Sequence, residues 1–346
     1  MENGNFTRQE IFSQPEAWAA ALDVLGRARQ DIQGLDPAGR FGQVLFTGCG
    51  STYYLALAAA SLAQELTGLT CRAFPASELW LYPGSAYPAG PALLVAVSRS
   101  GETTETLRAC EAFVADHRGG LVTLTCYGDM PLAGMGGLNL VLPSGQERSV
   151  AQTRAFSTLY LGTVALALLW AGREDLFASL ADLPEAGRRV LDHYASQAAE
   201  LGRDASLDRF YWLGSGPRYG LACELSLKMK EMSLSHSEPF HFLEFRHGPK
   251  SMLAPSALVI GLRSTLNGEY EGSVLEEVKN AGSRLVDLAE SGADVRLDSG
   301  LDEAVRNVLY LPFGQLVAFE RALSKGLDPD RPTNLDSVVK LKEEEA

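Results

Sequence analysis

Positive charge is the first thing this sequence lacks. It has 30 Lys and Arg against 43 Asp and Glu, a formal net charge of −13. A field of that sign repels a nucleic-acid backbone, and no Lys/Arg stripe offsets it, so nucleic acid is not expected as a partner. Cysteine is also sparse. Cys49, Cys71, Cys110, Cys126 and Cys223 are odd in number and show no CxxC spacing. They read as reduced, mostly buried thiols, which predicts a cytoplasmic location and neither a disulfide nor a zinc framework. Residues 1–14 hold no apolar stretch of the kind a secretory signal needs. The longest apolar run, residues 155–172, is interrupted by Ser157, Thr158 and Thr163 and flanked by Arg154 and Arg173. It predicts a buried core helix and no membrane partner. The net charge does not exclude a small anionic ligand, because backbone amides and hydroxyls hold phosphate locally.

What is present is a repeat. At 346 residues the chain suits two domains. The segment Leu45-Phe46-Thr47-Gly48-Cys49-Gly50-Ser51-Thr52-Tyr53-Tyr54-Leu55-Ala56 returns 166 residues later as Tyr211-Trp212-Leu213-Gly214-Ser215-Gly216-Pro217-Arg218-Tyr219-Gly220-Leu221-Ala222. Both glycines, the Tyr and the Leu-Ala pair keep one offset, and that offset also carries the apolar run 92–97 onto 258–263. Strand, tight turn and helix recurring in register predict a duplicated α/β domain. Within the first copy, strands at 44–47, 71–75, 93–98, 121–126 and 138–142 alternate with helices at 53–66, 102–116 and from 153. That order implies a parallel sheet with helices on both faces, a flavodoxin-like three-layer sandwich. The expected organisation is an N-terminal segment 1–24, a first domain 25–175, a helical linker 176–206, a second domain 207–322 and a tail 323–346.

Ligands of open parallel sheets bind beyond the carboxyl ends of the strands. Two loops there carry the equipment for phosphate. Ser98-Arg99-Ser100-Gly101-Glu102-Thr103 follows a buried strand and opens a helix, offering three hydroxyls, a glycine and helix N-terminal amides. Gly48-Cys49-Gly50-Ser51-Thr52 presents the same kit on the neighbouring strand. Hydroxyl N-caps and tight strand-to-helix turns account for part of this pattern without any ligand. The second copy has lost the hydroxyl-rich loop and reads Ser264-Thr265-Leu266-Asn267.

The second copy gains charge instead. Glu224, Lys228 and Glu231 share one face of a helix over 221–234, where the first copy has Ala58, Leu62 and Glu65. Spacing alone fits a solvated salt-bridge face, although Leu221, Leu225 and Leu227 surround the charges. The following segment, 236–249, holds His236, His241, His247, Glu238 and Glu244. It lacks the HExxH spacing, and Pro239 and Pro249 break any helix that could align ligands, so no metal is expected. On spacing alone His247, beside Gly248-Pro249, is a structural hydrogen-bond donor.

These blocks resemble the sugar-isomerase (SIS) family. Gly48-Cys49-Gly50-Ser51-Thr52-Tyr53, Ser98-Arg99-Ser100-Gly101-Glu102-Thr103 and Ser149-Val150-Ala151-Gln152-Thr153-Arg154-Ala155-Phe156 are similar to the first SIS domain of glucosamine-6-phosphate synthase. Leu225-Ser226-Leu227-Lys228-Met229-Lys230-Glu231 and Glu244-Phe245-Arg246-His247-Gly248-Pro249 are similar to the second. The resemblance runs from about residue 25 to the end and implies two tandem SIS domains. It implies that Ser98, Ser100, Thr103, Ser51 and Thr52 hold a sugar phosphate, with Arg99 beside them in place of a common Gln. It makes Glu231 the proton-shuttling carboxylate, Lys228 its assistant and His247 a ring-opening histidine supplied by the other subunit of a homodimer.

Departures from the pattern shape the expected activity. No glutaminase domain is expected, since no N-terminal cysteine nucleophile is present. The family's Schiff-base lysine has no counterpart: Asn334-Leu335 is followed by Asp336 and Ser337, and Lys340 comes three residues late. Gln152 replaces a hydroxyl residue. Aldose–ketose proton transfer remains, without metal or coenzyme. The leading expectation is deamination of glucosamine 6-phosphate to fructose 6-phosphate and ammonia. A fructosamine 6-phosphate deglycase, a ketose–aldose isomerase and a non-catalytic sugar-phosphate sensor are the alternatives.

Overall fold

The computed structural model describes residues 3–87, 89–116 and 118–341. They group into two compact units. The N-terminal unit comprises the described parts of Ala17–Gln146, Arg154–Ala178 and Asp336–Ala346. Its strands are β1 (Gln43–Gly48), β2 (Thr70–Pro75), β3 (Ala92–Ser98), β4 (Gly119–Thr125) and β5 (Leu138–Val141). All pair in parallel, in the order β2-β1-β3-β4-β5. Every residue of β3 is buried, as a central strand covered on both faces requires. The apolar helix Arg154–Trp170 is buried from Ala155 to Leu169. Among the described residues no helix is long and apolar enough to cross a membrane.

The C-terminal unit contains Ser179–Leu335 and repeats the plan with β6 (Arg209–Leu213), β7 (His236–Phe240), β8 (Ala257–Leu262), β9 (Arg284–Ala289) and β10 (Val295–Arg296). The order β10-β9-β8-β6-β7 is that of the first sheet read from its other edge. Helix Ser51–Thr67 maps onto Pro217–Ser233 at the offset seen in the sequence. The glycine pairs of the two turns have the same geometry. Gly50 and Gly216 stand at φ 54° and 57°. A Cβ on Gly48 would meet Thr52 Oγ1 at 2.5 Å, and one on Gly214 would meet Arg218 O at 2.4 Å. The G-x-G signature is therefore required by the turn itself, with or without a ligand.

The structure adds detail at several elements. The helix placed at 221–234 starts four residues earlier, at Pro217, because Pro suits the first helical position and Gly216 turns the chain into it. Segment 236–240 is a strand: among the described residues β7 pairs with β6 alone, so Pro239 lies at a sheet edge where its missing N–H is not needed. The segment expected as a helical linker does hold a long helix, and from Ser179 on it groups with the C-terminal unit. Helix Leu183–Arg203 buries a stripe that includes Leu183, Val190, Leu191 and Leu201. It approaches helix Leu311–Ser324 so closely that a Cβ on Gly202 would lie 2.6 Å from Val317 O. The chain ends also divide differently from a simple segment and tail. The residues up to Glu16, and Glu147–Thr153, belong to the C-terminal unit. There Asp330 accepts from Phe6 N and from the backbone and hydroxyl of Thr7, while Glu10 accepts from Arg148 N, Ser149 N and Ser149 Oγ.

Candidate active site

In the N-terminal unit the strand order reverses between β1 and β3. Such a reversal opens a crevice at the carboxyl ends of the strands, and both hydroxyl-rich loops leave the sheet there. Thr52 Oγ1 accepts from Cys49 N at 2.9 Å and donates to Cys49 O at 3.0 Å, closing its own turn, and Ser51 is buried beside it. In the second loop Ser98 Oγ accepts from Gly101 N at 3.1 Å and lies 3.3 Å from Thr103 Oγ1. Ser100 Oγ accepts from Glu102 N at 3.3 Å and lies 3.5 Å from Thr103 Oγ1. Three hydroxyls thus converge within one turn whose Gly101 stands at φ 72°. Ser98 is buried, whereas Ser100 and Thr103 keep partial exposure.

Arg99 is turned to another task. Its guanidinium is buried and donates to Ser337 O at 2.9 Å. Lys340 Nζ pairs with Glu102 Oε2 at 2.8 Å, and Leu341 N donates to Thr104 Oγ1 at 3.3 Å. Residues 337–341 are therefore laid along the hydroxyl loop, a contact that sequence spacing gave no sign of. Lys340, late relative to the family's tail lysine, is bound to this loop by its ammonium.

The charged helix face of the C-terminal unit is not solvated. On helix Pro217–Ser233 the side chains of Glu224 and Lys228 are 0% exposed and that of Glu231 is 19% exposed. Lys228 Nζ lies 3.3 Å from Glu224 Oε1 and donates to Glu231 Oε2. Burial opposes charge on Lys228, but the two carboxylates outweigh it and hold the ammonium above the usual lysine range. The solvated-face reading of these residues fails because Leu221 and Leu225 are fully buried alongside them. The result is an ammonium fixed between a sealed carboxylate and one that reaches solvent.

The three histidines of 236–249 do not converge. His236 stands on β7, and His241 stacks on Tyr219 with ring centroids 3.8 Å apart. Burial lowers the His241 pKa, with Glu244 pulling the other way. The His247 side chain is exposed, in a loop closed by its own N–H on Glu244 O at 2.9 Å. Among the described residues no group of three His, Cys, Asp or Glu is placed to hold a metal ion. The sequence-derived set is thus divided: Ser51, Thr52, Ser98, Arg99, Ser100 and Thr103 lie in the N-terminal unit, and Lys228, Glu231 and His247 in the C-terminal one. Gln152 lies in the 147–153 segment that joins the C-terminal unit.

Comparison with known proteins agrees with this architecture. Residues 41–169 match the family described as SIS domain. The glutamine–fructose-6-phosphate aminotransferase (isomerizing) of Aeropyrum pernix is 29% identical over 361 residues, covering 97% of this chain and 57% of that protein. Its counterpart in Pseudomonas putida is 30% identical, covering 97% and 58%. The chain thus spans little more than half the length of these curated relatives. Among solved structures, glucosamine-6-phosphate deaminase from Thermotoga maritima is 26% identical with a TM-score of 0.78, covering 93% of this chain and 100% of that one. Tagatose-6-phosphate ketose/aldose isomerase from Escherichia coli is 22% identical with a TM-score of 0.84, covering 99% and 98%, a likeness of fold alone.

Proposed function

From a chain that carries a SIS domain and has the two-SIS-domain α/β fold, we propose an enzyme that moves a proton between C1 and C2 of an amino-sugar 6-phosphate. The substrate we assign is glucosamine 6-phosphate, with fructose 6-phosphate and ammonia as products. The observation that carries the reading is the Glu224–Lys228–Glu231 array: a carboxylate that reaches solvent, held by an ammonium that is itself fully buried. An acid–base group that must accept and return a proton needs a fixed position beside a restrained partner. The likeness to a glucosamine-6-phosphate deaminase that aligns over its whole length supports the substrate class.

In this reading Ser98, Ser100 and Thr103 hold the phosphate by hydroxyls and by the amides at the start of helix Thr104–Ala115. Phosphate binding positions the reacting carbons and is separate from the chemistry. His247 assists opening of the ring to the C1 aldehyde. Glu231 removes the C2 proton, and the electron pair moves through C1–C2 to the aldehyde oxygen, which gains a proton. Glu231 then delivers its proton to C1. The C2 nitrogen is left as an imine, and water hydrolyses it to the ketone and ammonia. Lys228 holds the Glu231 side chain in place between these steps. On the family resemblance we assign His247, exposed in this chain, to the site of the other subunit of a homodimer.

The test is ammonia release from glucosamine 6-phosphate by the purified chain and by Glu231→Gln. Release by the wild type and its loss in the variant, with sugar-phosphate binding retained, are expected. Conversion of the sugar without ammonia would move the assignment to aldose–ketose isomerisation. Saturable binding without turnover of glucosamine or fructosamine phosphates would make the chain a sensor and overturn the proposal.

A further inference from the structure

The C-terminal unit contains a buried charge cluster that the proposed reaction does not use, at the position where the N-terminal unit has its hydroxyl loop. β8 runs into residues 264–267, which lead to helix Gly268–Asn280. The turn is built alike in both copies: Ser264 Oγ accepts from Asn267 N at 3.2 Å, as Ser98 Oγ accepts from Gly101 N. Two of the three hydroxyl positions have changed, Ser100 to Leu266 and Thr103 to Glu269, while Thr52 has become Arg218.

One carboxylate fills the turn. Glu303 Oε2 accepts from Thr265 N at 2.8 Å, and Glu303 Oε1 accepts from Ser264 Oγ at 2.7 Å. Arg218 Nη1 donates to Oε1, and Arg306 Nη2 donates to Oε2 at 3.2 Å and to Thr265 Oγ1 at 2.6 Å. A backbone amide at a turn, a hydroxyl and two guanidiniums converging on one small anion make a donor set suited to phosphate. The guanidiniums are 4% and 5% exposed, which sets them apart from ordinary surface ion pairs. Arg218 Nε is buried with no hydrogen-bond partner, a donor that the two oxygens of Glu303 leave over. The other acids nearby are Glu271, whose Oε1 is 3.9 Å from Arg218 and whose Oε2 accepts from Ser264 N, and Glu290, 3.4 Å from Arg306 Nε. Burial raises the Glu271 pKa. For Glu303 burial acts the same way, but Arg218 and the bonds from Ser264 and Thr265 outweigh it and hold the carboxyl below its usual range.

We propose that the C-terminal unit carries a second anion-binding cradle, made by Arg218, Arg306 and the 264–265 turn, whose resident anion is the chain's own Glu303 carboxylate, and which takes inorganic phosphate when that carboxylate is removed. The duplicated turn keeps its anion chemistry but is closed from inside the chain, so the second copy is unavailable to free phosphate in the wild type.

Equilibrium dialysis with labelled inorganic phosphate tests this on the full chain. Glu303→Ala binds one phosphate per chain more than the wild type, and the additional site disappears in Glu303→Ala combined with Arg218→Gln. Because the readout is a difference from wild type, phosphate bound at the 98–103 loop cancels, and the result is independent of the reaction proposed above. Glu303→Gln keeps the side-chain shape and guards against misfolding of the alanine variant. Its thermal midpoint rises more in phosphate than in chloride of equal ionic strength, and by more than that of the wild type. Folded Glu303→Ala and Glu303→Gln proteins that bind no more phosphate than wild type, or an additional site that survives loss of Arg218, would overturn the proposal.

Discussion

Replacing Lys228 by Met tests the buried array most directly. Met matches the lysine stem in shape and removes only the ammonium. Glu224, 0% exposed and 3.3 Å from that ammonium, then loses this ion pair while staying buried. Breaking a buried ion pair from one side costs about 3–5 kcal/mol, because the remaining charge cannot regain its hydration. Against a typical domain stability of about 5–15 kcal/mol this is a large fraction. Glu231 contributes less, since its side chain keeps 19% exposure and water screens it. Urea denaturation at pH 7 should therefore show Lys228→Met destabilised by about 3–5 kcal/mol. The double variant Glu224→Gln/Lys228→Met should recover most of the loss, as no buried charge then lacks a partner. A single-variant loss below about 1 kcal/mol at pH 7, the range of exposed ion pairs, would refute the argument. So would a double variant no more stable than Lys228→Met.

Three further outcomes follow from the same geometry. Ser98→Ala removes both a donor of the proposed phosphate site and the acceptor of Gly101 N; in steady-state kinetics the KM for the sugar phosphate should rise roughly ten- to hundredfold, with kcat changed less. An unchanged KM would remove Ser98 from the phosphate site. Arg99→Ala deletes the bond to Ser337 O, so limited proteolysis should cut residues 336–341 faster than in wild type, and equal rates would show that Arg99 does not hold the chain end. Glu10, whose pKa is raised above 4.5 mainly by burial and next by Glu147, bears on pH dependence. A carboxyl raised in the folded state contributes stability at low pH that is lost as pH rises through its folded pKa. The stability of wild type minus that of Glu10→Gln should therefore fall as the pH is raised from about 4.5, and a difference that grows with pH contradicts the burial of that charge.

Much of the fold was legible because it is periodic and duplicated. Apolar strands, glycine turns and the constant offset define local geometry, and local geometry repeats whenever the residues do. The constraint weakens where the copies diverge, which is why the two-residue β10 was not foreseen. Composition hid the role of 183–203: its polar face dominates the residue count, and only packing against helix Leu311–Ser324 shows that the opposite stripe is core. The candidate site divided in the same way. The hydroxyl-rich turn could be read from its residue types, although hydroxyl caps give the same pattern without a ligand. Whether Glu224 and Lys228 were solvated could not, since i, i+4 spacing is identical on an exposed face and a buried one.

By itself the sequence determined the residue types at each turn, the order of strands and helices, and the divergence of the second copy from the first. Tertiary structure decided which charges lost their water. Arg218 appears in the sequence only as an exchange for Thr52; the fold brings Glu303, distant in the chain, against it. Likewise Arg99 reads as one more cation in a phosphate loop until the chain end supplies Ser337 O. The reason is physical: hydrogen-bond capacity belongs to a residue, but the partner that uses it, and the solvent that is excluded, belong to the packed chain.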